Sequence, residues 1–365
     1  MHKTSAWPLA AIYAVLIVFA SLFPFSGWRA QGLEPWMFLA APLPPPYWTG
    51  FDVTSNLIGY APLGFLLALA LLRTGWTRGA VWWAALAGSL LSLAMEFLQI
   101  YLPRRVPSNL DLVLNAAGTW LGALLAALLE RWGAIDRWSL FRGRWFVPDA
   151  RGALVLIALW PAALLFPAAL PFGLGQVLER LEAAIEQALQ DTPFIDWMPM
   201  RETVLEPLSP GGEALCVMLG LLVPSLLGYC VIRHVGRRAV FATGVLVIGV
   251  AVTALSAALS WGPAHAWGWL DEPVRVGVWA AAGMAVLLLM LPRRASAAVL
   301  LVALVWHLAL LNQAPTNVYF AQTLMQWEQG RFIRFYGLGQ WLGWLWPYVA
   351  LLYVLVRVSR KDAHP

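Results

Sequence analysis

One apolar segment of the sequence carries four polar residues on a single helical face. Ser89, Ser92, Glu96 and Gln99 recur at helical spacing within a run of Leu, Ala, Met and Phe. Polar groups are costly inside a membrane, so such a face is expected to contact other helices or water. Glu96 is the most deeply embedded carboxylate, and it is the candidate catalytic residue, as a general acid or base.

A basic turn follows this segment. Arg104 and Arg105 are adjacent and lie between Pro103 and Pro107. Arginine suits bidentate contact with phosphate or carboxylate, so the turn is predicted to bind an anionic group. Contact with lipid head groups alone is the alternative.

The next segment begins with Ser108-x-x-Asp111, a pattern similar to a capping box. Asp111, Asn115, Gly118 and Gly122 then fall on one helical face. The two glycines form a G-x-x-x-G step, which predicts the close approach of another helix. Asn115 is expected to point into that contact.

An earlier segment repeats this arrangement, with Asp52 and Asn56 four residues apart near its start. Three segments therefore bring polar groups to the same side, and one shared cluster is predicted. Helix capping is the alternative for the aspartates, interhelical hydrogen bonding for the amides, and a buried pair with Arg for Glu96. The candidate substrate-binding residues are Asp52, Asn56, Gln99, Arg104, Arg105, Asp111 and Asn115.

Composition indicates which elements position these residues. Of 365 residues, 61% are hydrophobic and 12% are charged, which excludes an ordinary soluble domain. Apolar runs of membrane-spanning length predict an all-α polytopic transmembrane bundle of about ten spans, the first of them a retained span and no cleaved signal peptide. The predicted spans are 6–25, 54–72, 79–101, 110–130, 152–172, 211–232, 239–261, 274–291, 295–312 and 338–358.

Basic residues assign the two sides of the membrane. With the N-terminus inside, 16 of the 24 Lys and Arg fall in inner segments, so both termini are predicted to be cytoplasmic. Topology and anionic lipid then account for the net charge of +5, and no nucleic-acid partner is expected. Cys216 and Cys230 lie too far apart along one predicted helix to form a disulfide with each other.

The connection 173–210 is predicted to be an acidic outer loop, with seven Asp and Glu against two Arg. Leu178, Leu181, Ile185 and Leu189 recur within it at helical spacing. This pattern predicts a short helix over 176–190 on the outer membrane surface. The helix is either a solvated connector or a lid over a partner or ligand.

The motifs of the first 130 residues resemble the VanZ-like membrane protein family. They are Asp52-x-x-x-Asn56 with Pro62-x-Gly64, Glu96-x-x-Gln99, Arg104 or Arg105, and Asp111-x-x-x-Asn115-x-x-Gly118-x-x-x-Gly122. The resemblance implies a module of about four helices in residues 1–135, a cell-envelope setting and a link to glycopeptide (teicoplanin) tolerance. Residues 136–365 add six spans, and their ending, 329–348, looks like that of longer members from Gram-negative bacteria.

Several functions remain open. The sequence contains no Walker A loop, dinucleotide-binding glycine motif, H-E-x-x-H or nucleophile elbow, and no cofactor or metal is expected. The first hypothesis is an inner-membrane protein that binds an anionic lipid or a lipid-linked cell-wall or polysaccharide precursor at the outer face. The second is an enzyme on a lipid-linked phosphate, with Glu96 and the arginines. The third is a proton-coupled transporter, and a helical scaffold for partners is the fourth; the oligomeric state is left open.

Overall fold

The computed structural model describes residues 6–23, 25, 27–32, 34, 36–45, 48–103, 105–197, 205–315 and 336–359. Within these residues the chain forms α-helices and no named strand, which confirms the all-α class. In chain order the helices are α1 (Ala6–Leu22), α2 (Gly50–Arg73), α3 (Ala80–Gln99), α4 (Asn109–Arg131), α5 (Ala134–Trp145), α6 (Arg151–Leu165), α7 (Leu178–Leu189), α8 (Pro210–Tyr229), α9 (Val235–Trp261), α10 (Glu272–Leu287), α11 (Arg293–Leu311) and α12 (Tyr336–Ser359).

Eight of the described helices are long and apolar enough to cross a membrane: α2, α3, α4 and α8 through α12. The multi-pass membrane class is therefore confirmed. The predicted spans 6–25 and 152–172 correspond to shorter apolar helices, α1 with 17 residues and α6 with 15. The total of ten spans and the cytoplasmic placement of the termini stay predictions.

Helix α6 ends well before residue 172 because prolines follow it. Phe166 precedes Pro167 and has extended backbone angles, as expected for a residue whose α conformation clashes with the proline ring. Pro171 and Gly173 follow a few residues later, and neither residue type favours a continued helix. The segment 166–177 is consequently non-helical, and most of its first ten residues are buried.

The chain divides into two compact units, Met1–Phe141 and Arg142–Pro365, and the division falls within α5. In the first unit, α2 and α4 pack with their backbones in contact. A Cβ atom on Gly118 would overlap the carbonyl oxygen of Leu57, and one on Gly122 would overlap that of Ala61. The G-x-x-x-G step therefore contacts α2. Because Gly118 pairs with Leu57 and Gly122 pairs with Ala61, four residues later in both helices, α2 and α4 run in the same direction.

Exposed aromatic side chains mark both ends of the first unit. Trp36, Trp48 and Tyr101 lie beside the start of α2 and the end of α3, whereas Trp76 and Trp132 lie at the opposite end. Tryptophan and tyrosine favour the two interfaces of a bilayer. This distribution is the one expected for a bundle that crosses a membrane.

The second unit is built around α8. Every residue from Leu219 to Ile232 is buried, and α8 contacts α6, α9, α10 and α11. A helix that is apolar on all sides belongs in the centre of a helical protein. Phe172 of the non-helical segment packs against the same helix at Gly220, so this segment forms part of the core.

Asn312, just after α11, fixes the end of the non-helical segment. Its Oδ1 atom accepts the backbone N–H groups of Val177 and Leu178, each at 3.0 Å, and its Nδ2 atom donates to the Gly175 carbonyl. These bonds hold the start of α7. Helix α7 lies within the predicted helix 176–190, and its Leu181 and Ile185 side chains are exposed.

Candidate functional site

Glu96 lies in the last turn of α3 with only 3% of its surface exposed. Its Oε2 atom accepts the backbone N–H of Ser108 at 2.8 Å. Ser108 is the N-cap residue of α4, where backbone donors have no partner inside the helix. The carboxylate therefore caps α4 from a neighbouring helix, at the end where the helix dipole favours negative charge.

The Ser108-x-x-Asp111 pattern forms half of a capping box. The Ser108 hydroxyl accepts the backbone N–H of Asp111 at 3.3 Å, as predicted from the sequence. In a capping box, the residue at the third helical position would accept the N-cap N–H in return. Here Glu96 of α3 accepts the N-cap N–H instead, so the first turn of α4 depends on a residue of another helix.

Arg105 is turned toward the end of α1. One terminal nitrogen of its guanidinium donates to the carbonyls of Ala20 and Phe23, at 3.2 and 3.0 Å. Gln99 donates to the Ser21 carbonyl at 3.1 Å, so both candidate residues bind the last turn of α1. A cation at a helix C-terminus complements the helix dipole. Arg104, the other predicted anion ligand, lies outside the described residues.

Asn115 lies inside the bundle and reaches α3. Its Nδ2 atom donates to the Ser92 hydroxyl at 2.9 Å, and both residues are buried. The expectation that Asn115 points into the G-x-x-x-G contact is therefore wrong: Gly118 and Gly122 contact α2, whereas the amide contacts α3. Tyr60 of α2 is buried beside them, with its hydroxyl near that of Ser92.

The polar region ends one turn further along α4. Thr119 donates its hydroxyl to the Asn115 carbonyl, and its side chain and backbone fill the space next to Gly88 and Gly64. Beyond it the contact consists of small buried apolar residues, namely Ala68, Ala84, Ala123 and Ala126. Among the residues that the structure describes in this unit, the buried polar groups thus extend from the start of α4 to Thr119 and no further.

Asp52 and Asn56 lie at the start of α2. The Thr49 hydroxyl accepts the Asp52 backbone N–H and lies 2.7 Å from the Asp52 carboxylate, so this pair caps α2. Asn56 is half-buried one turn further along. Within the predicted cluster, Glu96 and Asn115 are thus buried, whereas Asp52, Asn56 and Gln99 are half-buried.

The connection between α1 and α2 packs over the polar end of the unit. Trp36 and Phe38 meet the ring of Phe97 edge-on, with centroids 4.8 and 5.7 Å apart. Asn109, the first residue of α4, donates to the Ala41 carbonyl. Gln31 donates to the carbonyl of Ile100. The connection is thereby fixed to the ends of α3 and α4.

Three buried polar residues of this unit escaped the sequence reasoning: Tyr60, Asn109 and Thr119. Tyr60 follows Asn56 by four residues, so the helical spacing that identified Asp52 and Asn56 places it on the same face. Asn109 was not considered as a helical residue because the fourth span was predicted to begin at residue 110, one residue after the start of α4. Thr119 follows Asn115 by four residues, so spacing could have identified Tyr60 and Thr119 but not Asn109.

The comparison with protein families agrees with the resemblance inferred from these motifs. The sequence model of the VanZ/LLP1 family matches residues 6–130, and the rest of the chain is not covered by a family. No curated protein and no solved structure matches the chain. The matched residues contain α1 through most of α4, together with every candidate site residue.

Proposed function

We propose that the first unit binds the anionic head group of a membrane lipid, or of a lipid-linked envelope precursor, beside the turn between α3 and α4. The observation that carries this proposal is the way the turn is held. Glu96 accepts the backbone N–H of Ser108 at one end of the turn, and Arg105 donates hydrogen bonds to two backbone carbonyls at the end of α1. A guanidinium is thereby held at one end of a helical bundle of membrane-spanning length.

The surroundings of the turn support a head group as the ligand. Exposed Trp36, Trp48 and Tyr101 lie at the same end, which is where lipid phosphates meet aromatic side chains. Each Arg near an anionic surface contributes about 1 kcal/mol to lipid attraction. The charge distribution predicts this end to face outward from the cytoplasmic membrane, and the resemblance links the activity to the cell envelope and to glycopeptide tolerance.

Glu96 has a positioning role in this proposal. Its carboxylate is almost fully buried and accepts a backbone N–H, which favours holding the turn over reacting with a substrate. An enzyme that uses Glu96 as general acid or base is the second candidate. A proton-coupled transporter is the third candidate; within the described residues of this unit, the buried polar groups that could carry a proton reach only as far as Thr119.

The test compares lipids that remain bound to the full-length protein after purification, identified by mass spectrometry. Arg105→Gln is expected to lower the retained phosphate-bearing lipid about fivefold, which corresponds to about 1 kcal/mol. Arg105→Lys keeps the charge and is expected to retain part of the binding. Arg78→Gln, at the opposite end of the unit, is the matched control and is expected to leave this lipid unchanged.

Each alternative gives a different result. If Arg105→Gln and the control retain the same lipids as the unchanged protein, head-group binding at the turn is wrong. If Glu96→Gln keeps the lipid but a modified product disappears, the protein is an enzyme. Uptake into proteoliposomes that requires both a pH gradient and Glu96 would indicate the transporter.

A further inference from the structure

The interior of the first unit contains polar atoms that the described residues leave without a hydrogen-bond partner. The hydroxyl of Tyr60 and the Oδ1 atom of Asn115 are two of these. The residues are only 6% and 5% exposed. A buried polar atom without a partner carries its full desolvation penalty, and native proteins usually satisfy it with protein or with ordered water.

Ser92 lies next to both of these groups. Its hydroxyl oxygen accepts from Asn115 Nδ2 at 2.9 Å. The Tyr60 hydroxyl lies near the hydroxyls of Ser92 and Ser21 without forming a hydrogen bond of good geometry to either. Tyr60, Ser92 and Asn115 belong to three different helices, α2, α3 and α4. Ser92 therefore brings polar groups of three helices close to one another.

Rotating the Asn115 amide by half a turn still leaves one of its polar atoms without a hydrogen-bond partner. An amide has one acceptor oxygen and one donor nitrogen, and only one of them faces Ser92 at a time. With Nδ2 on Ser92, the oxygen lacks a donor. With the oxygen on Ser92, the nitrogen would lack an acceptor. One polar atom of Asn115 needs a further partner in either orientation.

We propose that one water molecule binds between the Tyr60 hydroxyl and Asn115 Oδ1, with Ser92 as its third partner. Water is both donor and acceptor, so it suits either orientation of the amide. Internal waters typically make about three hydrogen bonds, which matches three polar groups. The water joins α2, α3 and α4 at one point, and this inference does not depend on the proposed lipid binding.

A double-mutant cycle in the full-length protein tests the bridge. Tyr60→Phe and Asn115→Leu each remove one partner, and either change is expected to release the water. The melting temperature of the double variant is then expected to be no lower than that of the less stable single variant, because groups that share one partner are not additive. Fully additive shifts would overturn the proposal.

Tyr13→Phe combined with Asn115→Leu is the matched control. The Tyr13 hydroxyl donates directly to the Gly59 carbonyl at 2.9 Å, so these two shifts are expected to add. A second measurement needs no variant: a density map that resolves ordered water should show a peak between Tyr60 and Asn115, and an empty site there would refute the bridge. Stabilisation of the unchanged protein by Na⁺ but not choline, lost in Asn115→Leu, would identify a cation and overturn the assignment to water.

Discussion

Replacing Glu96 tests whether a carboxylate of α3 holds the start of α4. Hydrogen bonds to charged groups contribute about 1.5–3 kcal/mol and neutral ones about 0.5–1.5 kcal/mol. Glu96→Gln keeps an acceptor beside the Ser108 N–H and is expected to cost about 1 kcal/mol. Glu96→Ala removes the bond and leaves a half-buried N–H without this acceptor, so about 3 kcal/mol is expected.

Hydrogen exchange over the first turn of α4 measures this loss where it occurs. The exchange rate is expected to rise about fivefold for Glu96→Gln and on the order of a hundredfold for Glu96→Ala. Glu130→Gln is the control, because Glu130 pairs with Arg73 at the opposite, half-exposed end of the unit. That pair is worth about 1 kcal/mol or less. Unchanged protection of the first turn in Glu96→Ala would refute the capping role.

Two further predictions concern close packing and the second unit. Gly122→Ala is expected to lower the melting temperature because its Cβ would overlap the Ala61 carbonyl. Gly59→Ala is the control, and it is expected to be neutral or mildly stabilising because the space around Gly59 is open. Equal melting temperatures of the two variants would contradict the contact between α2 and α4. Asn312→Leu removes the acceptor of two backbone N–H groups, including that of Val177, and is expected to speed exchange at the start of α7 at least tenfold. Exchange as slow as in the unchanged protein would show that α7 is held by other contacts.

The sequence predicted the helices well because a bilayer imposes one length and one polarity on them. The G-x-x-x-G step at Gly118 was also predicted correctly, since only a missing side chain permits backbone contact between helices. The end of α6 was misplaced, although Pro167 and Pro171 signalled it. Hydropathy cannot separate a helix from a buried non-helical segment of the same apolar residues.

The partners of the site residues were harder to predict. The sequence suggested an arginine for Glu96 and a phosphate for Arg105, and both stay predictions. The sequence did not reveal the backbone groups that the structure places beside them, a backbone N–H at Glu96 and backbone carbonyls at Arg105. Such groups are present at every helix end, and which of them meets a given side chain depends on how the helices pack.

The buried position of α8 has a consequence for biosynthesis. Three of the helices that surround it, α9, α10 and α11, follow it in the chain, so α8 enters the membrane before most of its neighbours exist. During that time Ser225 can already be satisfied, because its hydroxyl donates to the Leu221 carbonyl of the same helix, and the residues next to it are apolar. The later helices therefore need to supply no partner for Ser225, whereas the Tyr229 hydroxyl at the end of α8 gains its acceptor, the Ala285 carbonyl, only when α10 is in place.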